Sequence, residues 1–327
     1  VAATIIIAEK PDAAMRIAEA LADGRAKKHA GEAGADYWEF MRDGKQHIVV
    51  AAVGHLFNLK QAGKAGWSYP VFDVEWAPSW KIRKKSEFSG KYFRTIEQFK
   101  GKGKDFIIAC DYDNEGSVIG YNILKYIFGK DEARRMKFST LTKQDLQKAY
   151  EEAELKLDWP NIECGLARHV LDFYYGINSS RALTLAIKKS SSRFALLSAG
   201  RVQGPVLCML SEREKEIKAF KPTPFWQLQA NLLLEGRELL AEHEIDKFWK
   251  REQAEAALKS SKGKATVESI EKKEYKQSPP TPFNITSLQT EAYRLFGYSP
   301  QQTLNIAQDL YTKAFISYPR TSSEKFP

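Results

Sequence analysis

Cysteine is scarce and badly spaced for bridging: Cys110, Cys164 and Cys208 are the only three in 327 residues, and no C-x-x-C pair occurs. That argues against a disulfide framework and against a cysteine-based zinc site, and it fits a reducing compartment. Long apolar runs are missing as well. No stretch approaches the ~18 residues of a membrane span, and the opening Thr4-Ile5-Ile6-Ile7-Ala8 is too short and wrongly flanked for a signal peptide. A cytoplasmic protein with no membrane partner is therefore expected. Internal repeats and low-complexity tracts are also absent, which excludes a solenoid or a compositionally disordered chain.

What is present is a globular composition, 43% hydrophobic and 28% charged, in a chain long enough for two or three modules with their own cores. Lys and Arg outnumber Asp and Glu by 50 to 41, a net +9 that favours polyanionic partners. Residues 4–8 form a β-branched run that reads as a buried strand, and it leads directly into Glu9, Lys10 and Pro11. Ala14, Ile17, Ala18 and Leu21 then trace one helix face, closed by Gly24. A lysine at the N-cap offers no side-chain acceptor, which leaves the first N–H groups of that helix free for an anion. Residues 36–53 read as a hairpin through Asp43-Gly44, ending at Val53-Gly54-His55. His55 has no local metal-ligand spacing and reads either as a hydrogen-bonded turn residue or as a catalyst. Residues 67–88 hold three tryptophans with Lys81, Arg83, Lys84 and Lys85, either a nucleic-acid surface or a solvated face.

A second apolar strand, Phe106 to Cys110, runs into Asp111-Tyr112-Asp113-Asn114-Glu115-Gly116 and then a helix to about residue 128. Asp111 and Asp113, two apart on an extended segment, share one side, and Glu115 opens the helix. Glu9 also follows a strand and precedes a helix, and in an open parallel sheet ligands bind at the carboxyl ends of the strands. Four acids in one crevice suit Mg²⁺, while a strand-end turn with acids as helix caps is the alternative. A strand over 136–139 and a helix over 143–154 complete the α/β pattern, and Trp159-Pro160 marks a boundary. Residues 161–189 read as helical, with Arg168 and Asp172 one turn apart, an arrangement that by default is a surface ion pair. Gly200-Arg201-Val202-Gln203-Gly204-Pro205 opens another helix to about residue 217, broken by Lys221-Pro222-Thr223-Pro224. Strands are expected over 226–234, 238–245 and 264–275, with a short helix between the last two.

Two further helices have starts in capping-box spacing, Thr286 with Gln289 and Ser299 with Gln302. Thr303, Ala307, Leu310, Tyr311 and Ala314 line one face of the second and read as core. That helix delivers Phe315-Ile316-Ser317-Tyr318-Pro319-Arg320-Thr321-Ser322, a phenol beside one cation and two hydroxyls. Those are the groups a phosphodiester reaction needs, although any one of 14 tyrosines is by default a packing residue. The expected organisation is an α/β domain over 1–157, a helical part over 158–222, a β-rich part over 223–277 and the start of a helical part over 278–327.

Taken together, these landmarks resemble the type IA DNA topoisomerases, including the homologous part of reverse gyrase. Ile5 to Pro11 and Ala109 to Gly116 resemble the Toprim signature, a glutamate after the first strand and a later Asp-x-Asp-x-Glu-Gly. Val53-Gly54-His55-Leu56, Phe138 with Thr142, Ala167-Arg168 with Asp172 and Gly176, and Ser198-Ala199-Gly200-Arg201-Val202-Gln203 are similar to successive family motifs. Pro282-Phe283 with Thr286 to Gln289, then Ser317-Tyr318-Pro319-Arg320-Thr321, complete the order. The resemblance implies a Rossmann-like parallel-sheet Toprim domain, then helical, β-rich and tyrosine-bearing helical parts. It implies that Tyr318 attacks single-stranded DNA and keeps the 5′ phosphate covalently, giving ATP-independent relaxation of negative supercoils in the full-length enzyme. Lys10 and Arg320 would stabilise the transition state, Glu9 would move a proton at the leaving 3′ oxygen, and Asp111, Asp113 and Glu115 with Glu9 would hold Mg²⁺. Arg168, Asp172, Arg201, Gln203, His55, Thr321 and Ser322 would line the DNA groove.

The partner implied is single-stranded or negatively supercoiled DNA, met by a nucleoid-associated monomer with no nucleotide cofactor. Two positions depart from the pattern: Asn114 stands where the family usually has a basic residue, and Gly204 where it often has a hydroxyl residue. Phosphate contacts at both are left open. Family members also continue past the tyrosine, in some cases to zinc-binding tails, so an N-terminal fragment is expected. Competing readings are a Mg²⁺-dependent Toprim nuclease or primase-like protein, and a non-catalytic single-strand binding module.

Overall fold

Strand β1 (Ala3–Ala8) is buried at every position, as a continuous β-branched run is when both faces of its sheet are covered. In the computed structural model, which describes residues 3–63, 66–191 and 194–325, the chain forms two compact units. Residues 1–204 with 281–327 make one unit and residues 205–280 the other.

In the first unit β1 is followed by α1 (Pro11–Leu21), β2 (Lys27–Ala30), β3 (Asp36–Arg42) and β4 (Lys45–Ala51). The short hairpin β5 (Phe57–Gln61) and β6 (Val74–Pro78) comes next, then α2 (Ser79–Ile82), α3 (Ser89–Glu97) and β7 (Gly103–Ala109). After α4 (Asn114–Ile123), one wider helical turn over 124–128, β8 (Arg134–Arg135) and α5 (Lys143–Glu151), the long α6 (Trp159–Ser191) begins. Six strands form one sheet in the order β2-β3-β4-β1-β7-β8. The inner pairs β4/β1, β1/β7 and β7/β8 are parallel, whereas β2/β3 and β3/β4 are antiparallel, so the expected parallel sheet carries an antiparallel edge.

Alternate residues of β1 feed two cores, because successive side chains point to opposite faces. Ile5 and Ile7 pack with Ile108, Ile119 and Ile123 on the face covered by α4. Ile6 and Ala8 pack with Ile17, Leu21 and Leu146 on the face covered by α1 and α5, and Tyr311 belongs to this second core. Two glycines allow close approaches. A Cβ at Gly116 would lie 2.3 Å from the carbonyl oxygen of Asp111, and one at Gly165 would lie 2.4 Å from Val118, where α6 crosses α4.

Some expected elements move. The strand expected over 136–139 is instead β8, with Met136 N still donating to the Ile108 carbonyl. Apolar Met136 and Phe138 mark core filling as the chain leaves the sheet, while the pairing falls on Arg134 and then Arg135. That guanidinium is buried and donates to the carbonyls of Ile108, Cys110, Asp111 and Met136, so it ties down the strand end that carries the acids.

The second unit contains most of α7 (Gln203–Ala219), a two-stranded antiparallel hairpin of β9 (Gln229–Leu234) and β10 (Arg237–Glu242), and α8 (Arg251–Ser260). Residues 264–275, expected as a strand, pair with nothing among the described residues and are exposed. Scattered β-branched residues do not make a strand without a ladder to join. Back in the first unit lie α9 (Ile285–Phe296) and α10 (Pro300–Thr312). The α10 cap is the expected Ser299/Gln302 box, but α9 is capped by Asn284 with Ser287 rather than from Thr286. Asparagine is as good a cap as threonine, and two overlapping cap signals cannot be separated by spacing alone.

Candidate active site

β1 and β7 are parallel neighbours in register from Thr4/Asp105 to Ala8/Ala109, so their carboxyl ends finish level. The helices that follow them leave for opposite faces of the sheet, which opens a crevice between the two strand ends. Glu9 and Lys10 emerge from one strand and Asp111 and Asp113 from the other. Lys10 is the N-cap of α1 in extended conformation and makes no cap bond. Its ammonium instead bridges Glu9 Oε1 and Asp111 Oδ2, each at 3.0 Å. Asp111 is 2% exposed and also accepts a 3.0 Å hydrogen bond from the Tyr311 hydroxyl. Asp113 caps α4 through Oδ1, which accepts from Gly116 N at 2.7 Å, and its Oδ2 accepts from the Tyr318 hydroxyl at 2.6 Å.

The crowding of carboxylates has electrostatic consequences. Burial, reinforced by Asp111 and Asp113 and opposed by Lys10, pushes Glu9 up to about 7. Near neutral pH Glu9 can therefore give or take a proton. Burial works to lower Lys10, but Glu9 and Asp111 outweigh it and hold the ammonium charged. Burial, the Asp111 charge and the bond to Asp113 raise Tyr318 well above the ordinary phenol value. Its proton stays on until an acceptor takes it, and Asp113 Oδ2 is the acceptor in contact.

Tyr318 reaches the crevice because its helix docks on the α1 side of the sheet. Ala314, at φ 62°, turns the chain out of α10, and Tyr318 N donates to the Ser139 carbonyl at 2.9 Å. The Tyr311 and Tyr318 rings meet edge to face, 5.3 Å between centroids. Tyr311, read from the sequence as core, is thus both core and site. The available signal was a tyrosine on a face otherwise lined by Thr303 and Ala307, since a buried phenol needs a hydrogen-bond partner.

Glu115, the fourth acid of the expected set, has partners of another kind. Its Oε2 accepts from His55 Nε2 at 2.8 Å and from His169 Nε2 at 3.1 Å, and Oε1 lies 3.3 Å from Arg168 Nη1. These bonds, against a smaller opposing effect of burial, hold its carboxyl well below the usual range. Two imidazoles and a guanidinium, two of the three from α6, thus surround Glu115. Arg168 also lies 3.7 Å from Asp172, which takes two bonds from Arg201 at 2.7 and 3.4 Å. The expected isolated pair is therefore one link in a chain from Glu115 to Arg201. His169 carries no local signal, because its partner lies 54 positions earlier in the chain.

An open cleft of about 860 Å³ joins these groups, lined by Glu9, His55, Asp113, Arg168, Asp172 and Arg320 among others. Arg320 is exposed, has no ion-pair partner among the described residues, and also lines a smaller adjoining cavity with Tyr318 and Thr321. Ser322 and Gln203 are exposed and line neither cavity. Asn114 lines the cleft and donates to Cys164 Sγ at 3.1 Å.

The oxygen donors of Glu9, Asp111 and Asp113 fit a hard cation. Burial and, after it, repulsion from Asp111 and Asp113 raise Glu9, a strain that a dication relieves, and Mg²⁺ needs only one or two direct carboxylates because it keeps several waters. No helix among the described residues is long and apolar enough to cross a membrane.

A family model described as DNA topoisomerase matches residues 156–327, and one described as Toprim domain, a metal-binding domain, matches residues 4–141. DNA topoisomerase 1 of Pyrococcus horikoshii is 46% identical over 326 residues, covering 99% of this chain and 47% of that protein. DNA topoisomerase 1 of Methanothermobacter thermautotrophicus is 43% identical over 327 residues, covering 99% of this chain and 44% of its own length. The chain therefore spans about half the length of these curated relatives. Full-length topoisomerase I from Thermotoga maritima shares the fold at a TM-score of 0.63 and 24% identity, covering 99% of this chain and 50% of that one.

Proposed function

This chain belongs to the type IA DNA topoisomerase family, and on that premise we propose that it carries the family's strand-cleaving and rejoining chemistry, with Tyr318 as nucleophile on single-stranded DNA. The observation that carries the reading is the 2.6 Å contact between the Tyr318 hydroxyl and Asp113 Oδ2, two groups 205 positions apart in sequence. As the phenol oxygen attacks a backbone phosphorus, its proton passes to Asp113, the P–O3′ bond breaks, and the leaving 3′ oxygen takes a proton from Glu9. A carboxyl held near 7 is matched to that transfer. The phosphotyrosine ester conserves the energy of the broken bond, so the reverse steps rejoin the strand without ATP.

Lys10 and Arg320 offset the charge that builds on the phosphate, Lys10 from between two carboxylates and Arg320 from the open cleft. Tyr311 positions Asp111. Asp111 would hold Mg²⁺ directly, and Asp113 and Glu9, which exchange protons, would meet it through its waters; when bound the ion neutralises the acids and anchors the DNA phosphates. Glu115, held by imidazoles, is left out of that set. Arg168 and Arg201, spaced by Asp172, follow the DNA backbone, a sequence-tolerant mode suited to single strands or to negatively supercoiled DNA. His55 acts through Glu115, and Thr321, beside Tyr318, faces the strand.

Incubation with labelled oligonucleotide and Mg²⁺, followed by denaturation, tests this. A protein adduct on a 5′ phosphate is expected and should vanish in Tyr318→Phe. An adduct that survives the change, or cutting with no adduct, refutes the assignment.

A further inference from the structure

Three side chains from three separate elements converge beside the acids. His55 follows β4, Glu115 lies in the first turn of α4 and His169 lies on α6. Both imidazole Nε2 atoms point at the same carboxylate oxygen, and the three donor atoms lie within 4.8 Å of one another. The set is half-buried at the wall of the cleft, so one side remains open. The two imidazole rings pack edge to face at 4.6 Å, and Trp76 backs His169 at 5.4 Å, which holds the rings in place. His55 Nδ1 is buried without a partner among the described residues, so Glu115 supplies the hydrogen bond and His169 the packing that orient that ring. The other carboxylate oxygen is held by Arg168.

This donor set differs in kind from that of Glu9, Asp111 and Asp113. Two imidazoles and one carboxylate favour a borderline transition ion, whereas carboxylates alone favour a hard one. We propose that His55, Glu115 and His169 form a second cation site, selective for a divalent ion of the zinc class, with its remaining coordination positions filled by water from the cleft. On binding, the Nε2 lone pair of each imidazole faces the ion with the ring proton resting on Nδ1, which at His55 is buried and so offsets part of the binding free energy, while Glu115 exchanges two N–H donors for one dication. The inference stands independently of the cleavage chemistry, since none of the three residues is asked to touch the reacting atoms.

The test uses the chain stripped with chelator, then titrated with Zn²⁺ against a chromophoric competitor and with Co²⁺ followed by visible absorption, both in excess Mg²⁺. One tight equivalent that Mg²⁺ does not displace is expected, with a Co²⁺ spectrum of nitrogen and oxygen ligation. His169→Gln and His55→Gln should each weaken binding by about 100-fold or more, beyond the 10–100-fold that loss of an outer partner costs. Cys164→Ser with Cys208→Ser, and separately Asp111→Asn, should leave it within a few-fold, and melting curves confirm that each variant folds. Absence of a tight equivalent, its survival in both histidine variants, its loss with the cysteines, or its displacement by Mg²⁺ would overturn the proposal.

Discussion

Replacing Tyr311 by Phe removes a single oxygen from the middle of the candidate site and leaves the ring where it is. In the native chain that oxygen donates to Asp111 Oδ1 at 3.0 Å, and the carboxylate, 2% exposed, has Lys10 at 3.0 Å on its other oxygen. A hydrogen bond to a charged group contributes about 1.5–3 kcal/mol, and the acceptor left behind has no water to turn to. The edge-to-face packing on Tyr318 survives, so no cavity term of the kind seen on truncation to Ala adds to this. Urea denaturation should therefore show a loss of about 1.5–3 kcal/mol in the first unit. The same loss of restraint on Asp111 should slow single-turnover adduct formation by roughly 10–100-fold without abolishing it, since about 1.4 kcal/mol is a factor of ten. Tyr318→Phe provides the contrast: no adduct at all and a smaller loss of stability. If Tyr311→Phe changes neither stability nor adduct rate, the positioning role is wrong. An adduct that persists in Tyr318→Phe and vanishes in Tyr311→Phe would exchange the two roles.

Other perturbations follow from the same geometry. Glu9, held at about 7 in the folded chain, keeps its proton where the unfolded chain has lost it, so its contribution to native stability falls as pH rises from about 4.5 to 7 and is flat above. Glu9→Gln removes that slope, so its stability relative to the native chain should rise by up to about 3 kcal/mol between pH 5 and pH 8, and a pH-independent difference would refute the assignment. Gly116→Ala places a Cβ at 2.3 Å from the Asp111 carbonyl oxygen, and thermal melting should register a cost of at least about 1–3 kcal/mol together with a weakened adduct. Arg201→Ala should weaken oligonucleotide binding about equally for all sequences and lower the salt slope by roughly one, and an unchanged slope in a salt titration would remove Arg201 from the groove.

Much of the framework was readable because it is written locally. A β-branched run followed by a polar turn and an alanine-rich face can only be a buried strand entering a helix, and β1, α1 and β7 stand where those patterns put them. The Asp43-Gly44 hairpin and the Ser299/Gln302 cap are equally local, each set by a few residues in contact along the chain. Elements that depend on a distant partner were not readable. Residues 264–275 carry Ala265, Val267 and Ile270 in a strand-like texture, yet pairing requires a ladder that local texture does not supply.

In the site, the sequence by itself determined which chemical groups are available: the acids after two strands, the lysine at an open cap, and the tyrosine before a proline. Only the tertiary structure decided who faces whom. It turned Asp113 to Tyr318 across 205 positions and Tyr311 to Asp111 across 200, and it set Glu115 against two histidines 60 and 54 positions away. The physical reason is that a carboxylate's character is set by the donors that reach it through space. Those donors arrive on helices whose placement depends on close contacts such as the one at Gly165, where α6 lies against α4 because no side chain intervenes.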